Sequence, residues 1–200
     1  MTLIFDCEST GKINYKAPDA SPLQPRIVQL AALLMDNDGR EVDSMNVIIT
    51  PQGQWAIPDE AAAIHGITTE RAEVEGIPIK EALQRFAHLK AAADTVVAHN
   101  MDFDRFLLLS EIHRCWGAWI ESALPMAKGF CTMRWTMDML KLPGFYGQYK
   151  FPKLAESYHF LFGEDVVGAH DALNDCAATA RIYFELMRRS SFEPLRETMC

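Results

Sequence analysis

Two apolar, β-compatible runs at residues 26–35 and 41–50 flank Asp36-Asn37-Asp38-Gly39, and that turn commits the chain to an antiparallel hairpin. Thr2-Leu3-Ile4-Phe5-Asp6-Cys7-Glu8 reads as a strand before it, so three consecutive strands open the chain. Residues 9–25 carry Gly11, Pro18, Pro22 and Pro25 and read as a loop. After Pro51 the pattern turns helical. Pro58, Asp59 and Glu60 suit a first helical turn and Gly66 its end, and residues 79–93 place Ala82, Leu83, Phe86 and Leu89 at helical spacing. Residues 94–99 read as a fourth strand, followed by helices at 102–116, 132–140, 152–160 and 171–189. The order is β-β-β-α-α-β-α-α-α-α. It predicts an α/β protein with a mixed sheet covered by helices, as one domain over 1–190 with a short tail at 191–200.

With 49% hydrophobic and 23% charged residues in 200, the chain is neither disordered, collagenous nor a coiled coil. No stretch approaches the ~18 apolar residues of a membrane span, and Asp6 and Glu8 interrupt the first apolar run, so no signal peptide is expected. The 5 cysteines include no C-x-x-C pair, which excludes a four-thiolate zinc site and suits reduced thiols in the cytoplasm. A net charge of −8 argues against a broad basic groove that would hold nucleic acid by counterion release.

Several acids stand where acids are costly. Strand alternation puts Leu3, Phe5 and Cys7 on one face and Asp6 and Glu8 together on the other, about 7 Å apart. Asp102 suits a helix first turn, with Arg105 three residues on, whereas Asp104 has Leu107 and Leu108 at helical spacing and lies beside the apolar stripe. Asp175 falls between Ala172 and Cys176 on the inward stripe of the last helix, and His170 stands just before that helix, where Gly168 leaves the loop mobile. Acids from three segments would repel one another without metal ions among them. Oxygen ligands select Mg²⁺ or Mn²⁺, and two such ions suit phosphodiester hydrolysis, with a neutral histidine to take a proton from water.

The sets Phe5-Asp6-Cys7-Glu8-Ser9-Thr10-Gly11, His99-Asn100-x-x-Phe103-Asp104 and His170-x-x-x-x-Asp175 resemble the three motifs of the DEDDh 3′→5′ exonucleases. That DnaQ-like group includes the proofreading subunit of bacterial replicative polymerase. Ile64-His65-Gly66-Ile67-Thr68 resembles the stretch between the first two motifs, and the likeness runs from residue 1 to about 190. The resemblance implies a ribonuclease H-like exonuclease fold, a mixed five-stranded sheet flanked by helices. It implies that Asp6, Glu8, Asp104 and Asp175 hold two Mg²⁺ or Mn²⁺ ions, and that His170 is the general base. It implies further that Ser9, Thr10, His65, Asn100 and Phe103 line a terminal-nucleotide pocket. Cys7 stands where the family usually has Thr, and alternation gives it a core role.

Lys128, Arg134, Lys141, Lys150 and Lys153 stand against one acid, Asp138, among Phe130, Trp135, Phe145, Tyr146, Tyr149 and Phe151. Basic and aromatic residues together suit single-stranded nucleic acid, and Tyr146, Tyr149 and Lys150 are the expected contacts. The expected activity removes nucleoside 5′-monophosphates from single-stranded 3′ ends, DNA favoured over RNA, with an RNA-trimming exoribonuclease as the alternative. A non-catalytic binding module would have lost at least one of the five catalytic residues, and all are present. The short tail offers no long tether to a replication polymerase, so a stand-alone nuclease is expected.

Overall fold

The computed structural model describes residues 1–117 and 129–190. The expected tail at 191–200, and Lys128 of the basic stretch, lie outside the described residues.

Five strands form one sheet: β1 (Thr2–Ser9), β2 (Ile27–Met35), β3 (Glu41–Ile48), β4 (Thr95–Ala98) and β5 (Gly129–Cys131), in the order β3-β2-β1-β4-β5. The hairpin turn pairs β2 with β3 antiparallel, and β1 is antiparallel to β2. The sheet changes direction there, since β1, β4 and β5 run parallel. Every residue of β2 is buried, as expected for a strand covered on both faces.

Alternation along β1 sorts the two cores. Leu3, Phe5 and Cys7 face α3 (Ile79–Ala91) and α4 (Met101–Trp116), with the Phe5 ring edge-on to Phe86 at 5.3 Å. Ile4 faces α7 (Ala172–Ser190) and packs with Ala31, Val97, Ala172, Cys176 and Tyr183. Asp6 and Glu8 therefore point to the α7 side, and Cys7 is a core residue as its parity requires. At one end of β2, Val28 packs with Ala61 of α1 (Asp59–His65), Ala72 of α2 (Thr69–Glu75), and Ile57 and Ile67 from the segments before and between them.

Two elements go beyond the residue pattern. α2 starts at Thr68, whose hydroxyl accepts from the Arg71 N–H at 3.2 Å, and buries only Ala72. β5 has three residues, too few to show alternation. Helices α5 (Thr132–Leu140) and α6 (Leu154–Phe162) stand where the pattern puts them, joined by a loop containing a 3₁₀ turn at Phe145–Gly147. Among the described residues no helix is long and apolar enough to cross a membrane.

Candidate active site

The site lies where β1 runs out between α4 and α7. Asp104, in the first turn of α4, is 3% exposed, and its Oδ1 accepts the backbone N–H of Cys7 at 3.0 Å. That bond fixes the helix against the strand between Asp6 and Glu8. On the opposite side Asp175, 9% exposed in the first turn of α7, accepts the His170 N–H on Oδ2 at 3.3 Å. One ligand atom each from Glu8, His170 and Asp175 lie within 4.8 Å of one another. Three distant segments thus deliver Asp6, Glu8, Asp104, His170 and Asp175 to one end of the sheet.

These acids resist ionisation in the protein by itself. Burial, then the charges of Asp104, Asp175, Glu8 and Asp171, push the Asp6 carboxyl far above its ordinary value. Burial and the charges of Asp175 and Asp171 push Glu8 up to about 7. Asp104 and Asp175 are raised as well, chiefly by burial. Oδ1 of Asp175 is buried with no hydrogen-bond partner. A cluster of oxygen donors with an orphaned carboxylate oxygen and mutually repelling charges fits hard divalent cations, which would ionise all four acids together.

His170 is exposed and adopts φ 68°, a left-handed conformation that a side-chain-bearing residue takes at a cost. Gly168 before it has φ 67°, and the Asn174 side chain donates to its carbonyl at 3.1 Å. A Cβ at Gly168 would meet Asn174 Nδ2 at 2.4 Å. The glycine sits in a turn whose carbonyl is tied to α7.

His65 is 9% exposed, and its Nδ1 accepts the Ile67 N–H at 3.2 Å. Burial lowers its pKa, and so does His170 nearby; the Ser9 backbone acts the other way without completing a hydrogen bond to Nε2. The neutral ring then carries its proton on Nε2, a buried donor without a partner. The Ser9 hydroxyl donates to the Gly11 carbonyl at 2.9 Å, and the Thr10 hydroxyl accepts from the Arg26 N–H at 2.9 Å, so both hydroxyls fasten the base of the loop. Asn100 stands just before α4 at φ 72° without a side-chain hydrogen bond to the helix, and Phe103 packs half-buried on the Phe5 core.

The aromatic loop is tied to the same end of the sheet. Ile4 pairs with Val97 in the parallel register, so His99 leaves β4 at the level of Asp6. Its Nε2 contacts the Pro152 carbonyl at 3.1 Å and its Nδ1 the Thr132 hydroxyl at 2.9 Å. Burial lowers this histidine to about 4, so the ring is neutral, with Nε2 donating to the carbonyl. Tyr146 is fully exposed at φ 55°, and Tyr149 is 46% exposed. Phe130, half-buried against the α7-side core, stacks on Trp135 at 5.1 Å. The basic charges are not all free: Lys150 pairs with Glu156 at 2.6 Å, and Arg134 with Asp102 at 2.5 Å, where the sequence suggests Arg105.

Motif reading passes over two residues here. Asp171 is a fifth acid whose charge reaches Asp6, Glu8 and Asp175, and Gln29 is buried directly across from Glu8 on β2. The signal for Gln29 was a lone amide inside an apolar strand.

The RNase_T family model, described as Exonuclease, matches residues 3–183. The chain belongs to this exonuclease family. Exonuclease domains of this kind use divalent metal ions, in keeping with the carboxylate cluster. The domain is similar in structure to E. coli Exonuclease I in complex with a dT13 oligonucleotide, with TM-score 0.74 and 18% identity over 96% of this chain and 42% of that one. The complex of the same E. coli protein with a dA16 oligonucleotide gives TM-score 0.73 and 17% identity over 96% and 41%. Its zinc-bound complex with single-stranded DNA gives 0.73 and 18% over the same shares. The exonuclease domain therefore has the mixed-sheet, ribonuclease H-like exonuclease fold, and spans about two fifths of the length of these solved chains. No curated protein matches it.

Proposed function

We propose that this exonuclease domain hydrolyses the terminal phosphodiester at the 3′ end of single-stranded DNA and releases nucleoside 5′-monophosphates. The supporting observation is the convergence of Asp6, Glu8, Asp104 and Asp175 with His170 at one sheet end, with the buried Asp175 Oδ1 lacking any partner. Asp6, Glu8, Asp104 and Asp175 would hold two Mg²⁺ or Mn²⁺ ions. Bound there, the ions supply positive charge to the attacked phosphate and the leaving oxygen.

His170 is exposed and beside the cluster, so it can meet a water at the scissile phosphate and take its proton as general base. His65, Asn100 and Phe103 border the terminal nucleotide. Ser9 and Thr10 act by holding the loop that opens beyond Glu8. Tyr146 and Tyr149 present exposed rings to bases further from the end, with Lys150 near the phosphates. The DNA preference draws on the oligonucleotide complexes of the similar E. coli enzyme.

End-labelled single-stranded DNA and RNA of equal sequence, digested with Mg²⁺ or with chelator, test the reading. DNA should shorten from its 3′ end with Mg²⁺ only, and Asp175→Ala should lower kcat at least about 10³-fold while the chain stays folded. His170→Ala should lower kcat about 10²- to 10⁴-fold. Full Mg²⁺-dependent activity in Asp175→Ala would sink the assignment, and faster RNA digestion would make the enzyme an exoribonuclease.

A further inference from the structure

The N-terminus of α7 carries both Asp175 and, one residue before its capping Asp171, His170. Its placement depends on a side chain from the other end of the sequence. Gln29 is 3% exposed on β2, across from Glu8 in the antiparallel register. Its Nε2 donates to Asp171 Oδ2 at 3.0 Å and to Asn46 Oδ1 of β3 at 2.9 Å. Its Oε1 accepts the Ala172 N–H at 3.2 Å. Asp171 in turn uses Oδ1 to accept the Leu173 and Asn174 N–H groups at 3.2 Å each, capping the helix.

Both N–H bonds of the amide and one carbonyl lone pair are therefore used, in the middle of a strand that is otherwise apolar. An apolar residue would pack here with less risk, because an unsatisfied buried amide costs about 1–3 kcal/mol. What the amide does that a leucine could not is hold one end of a helix at a fixed height over the sheet. That height sets the separation between Glu8 on β1 and Asp175 on α7.

We infer that Gln29 is a positioning residue for the exonuclease reaction: through Asp171 and Ala172 it holds α7 so that Asp175 and His170 stand at metal-ligating and proton-accepting distance from Glu8. This rests on the function proposed above. Gln29 acts through Asp171 and the backbone of α7. Asn46, more exposed on β3, steadies the amide from the far side.

The test uses the whole chain with a short single-stranded DNA substrate and titrated Mn²⁺, assayed well below the melting temperature. Gln29→Leu should lower kcat at least tenfold, change KM less than threefold, and raise the Mn²⁺ concentration for half-maximal activity at least fivefold. Calorimetric Mn²⁺ binding should weaken in parallel, a change that general loosening of the fold would not produce at that temperature. If Gln29→Leu does not fold, Asn46→Ala and Asp171→Ala decide. Both should shift kcat and Mn²⁺ half-saturation in the same direction, Asn46→Ala by about two- to fivefold. A folded Gln29→Leu, or in its place both other variants, with kcat and Mn²⁺ half-saturation within twofold of the parent overturns the inference. An inactive parent chain would instead overturn the function on which it rests.

Discussion

Glu111 lies two helical turns from Asp104 on α4, is buried as deeply, and is treated in the opposite way. It is 1% exposed and takes Arg26 Nε at 2.7 Å and Arg114 Nη1 at 2.9 Å, while Arg114 also forks onto the carbonyls of Ser21 and Gln24. Asp104 receives one backbone N–H and faces other acids. On the proposed function, the difference separates a structural charge from one kept for a cation. Removing Glu111 strands two arginines, so Glu111→Ala should destabilise the fold by about 3–5 kcal/mol in urea melts. Asp104→Asn should leave the metal-free protein as stable or more stable while abolishing activity. Opposite signs from two buried acids on one helix would be the expected outcome; equal losses would contradict it. The apolar neighbours of Asp104 made its burial readable in the sequence. The pairing of Glu111 was not readable, because Arg26 stands 85 positions away.

Elements were readable in proportion to how much apolar surface they bury. β1, β2 and α7 announced themselves through alternation or a continuous inward stripe, and the acids that broke those patterns marked the site. α2, with only Ala72 buried, and the three-residue β5 carry no periodic signal; they exist because a capping threonine and the edge of β4 call for them. The loop between α5 and α6 was readable as a Gly/Tyr loop but not as a fixed one. It closes on an isolated bridge between Pro143 and Tyr149, with the Gly144 N–H donating to the Gln148 carbonyl at 2.9 Å. A Cβ on Gly144 would stand 2.7 Å from that carbonyl oxygen and 2.8 Å from the Lys150 nitrogen, so Gly144→Ala must open the loop. On the proposed reading, KM for a long single strand should rise several-fold while hydrolysis of a dinucleotide is unchanged. Equal effects on both substrates would remove Tyr146 and Tyr149 from the binding path.

Across the whole molecule, the net charge of −8 has a local concentration at the site, and its stability should register this. Glu8 ionises near 4.5 when unfolded and at about 7 when folded, so without divalent ions the fold loses stability as pH rises through that window. His99 works the other way: it is held neutral down to about 4 and would protonate near 6.5 when unfolded, so its contribution is lost as pH falls from 6.5 to 4. Thermal melts in chelator should therefore peak at mildly acidic pH. Millimolar Mg²⁺ should raise the melting temperature more at pH 8 than at pH 5, where protons already occupy the acids. A Mg²⁺ effect independent of pH would mean that the cation binds elsewhere.

The Cys7 and Asp104 hydrogen bond spans 97 positions of sequence, and the Gln29 and Asp171 bond spans 142. No earlier segment holds more than two of the five proposed active groups, and the last two arrive only with α7. On the proposed reading, a chain emerging from the ribosome therefore carries no cutting power until α7 docks on β1 and β2. On that reading fragments that lose α7 are equally inert, so the topology ties cleavage to a fully docked domain.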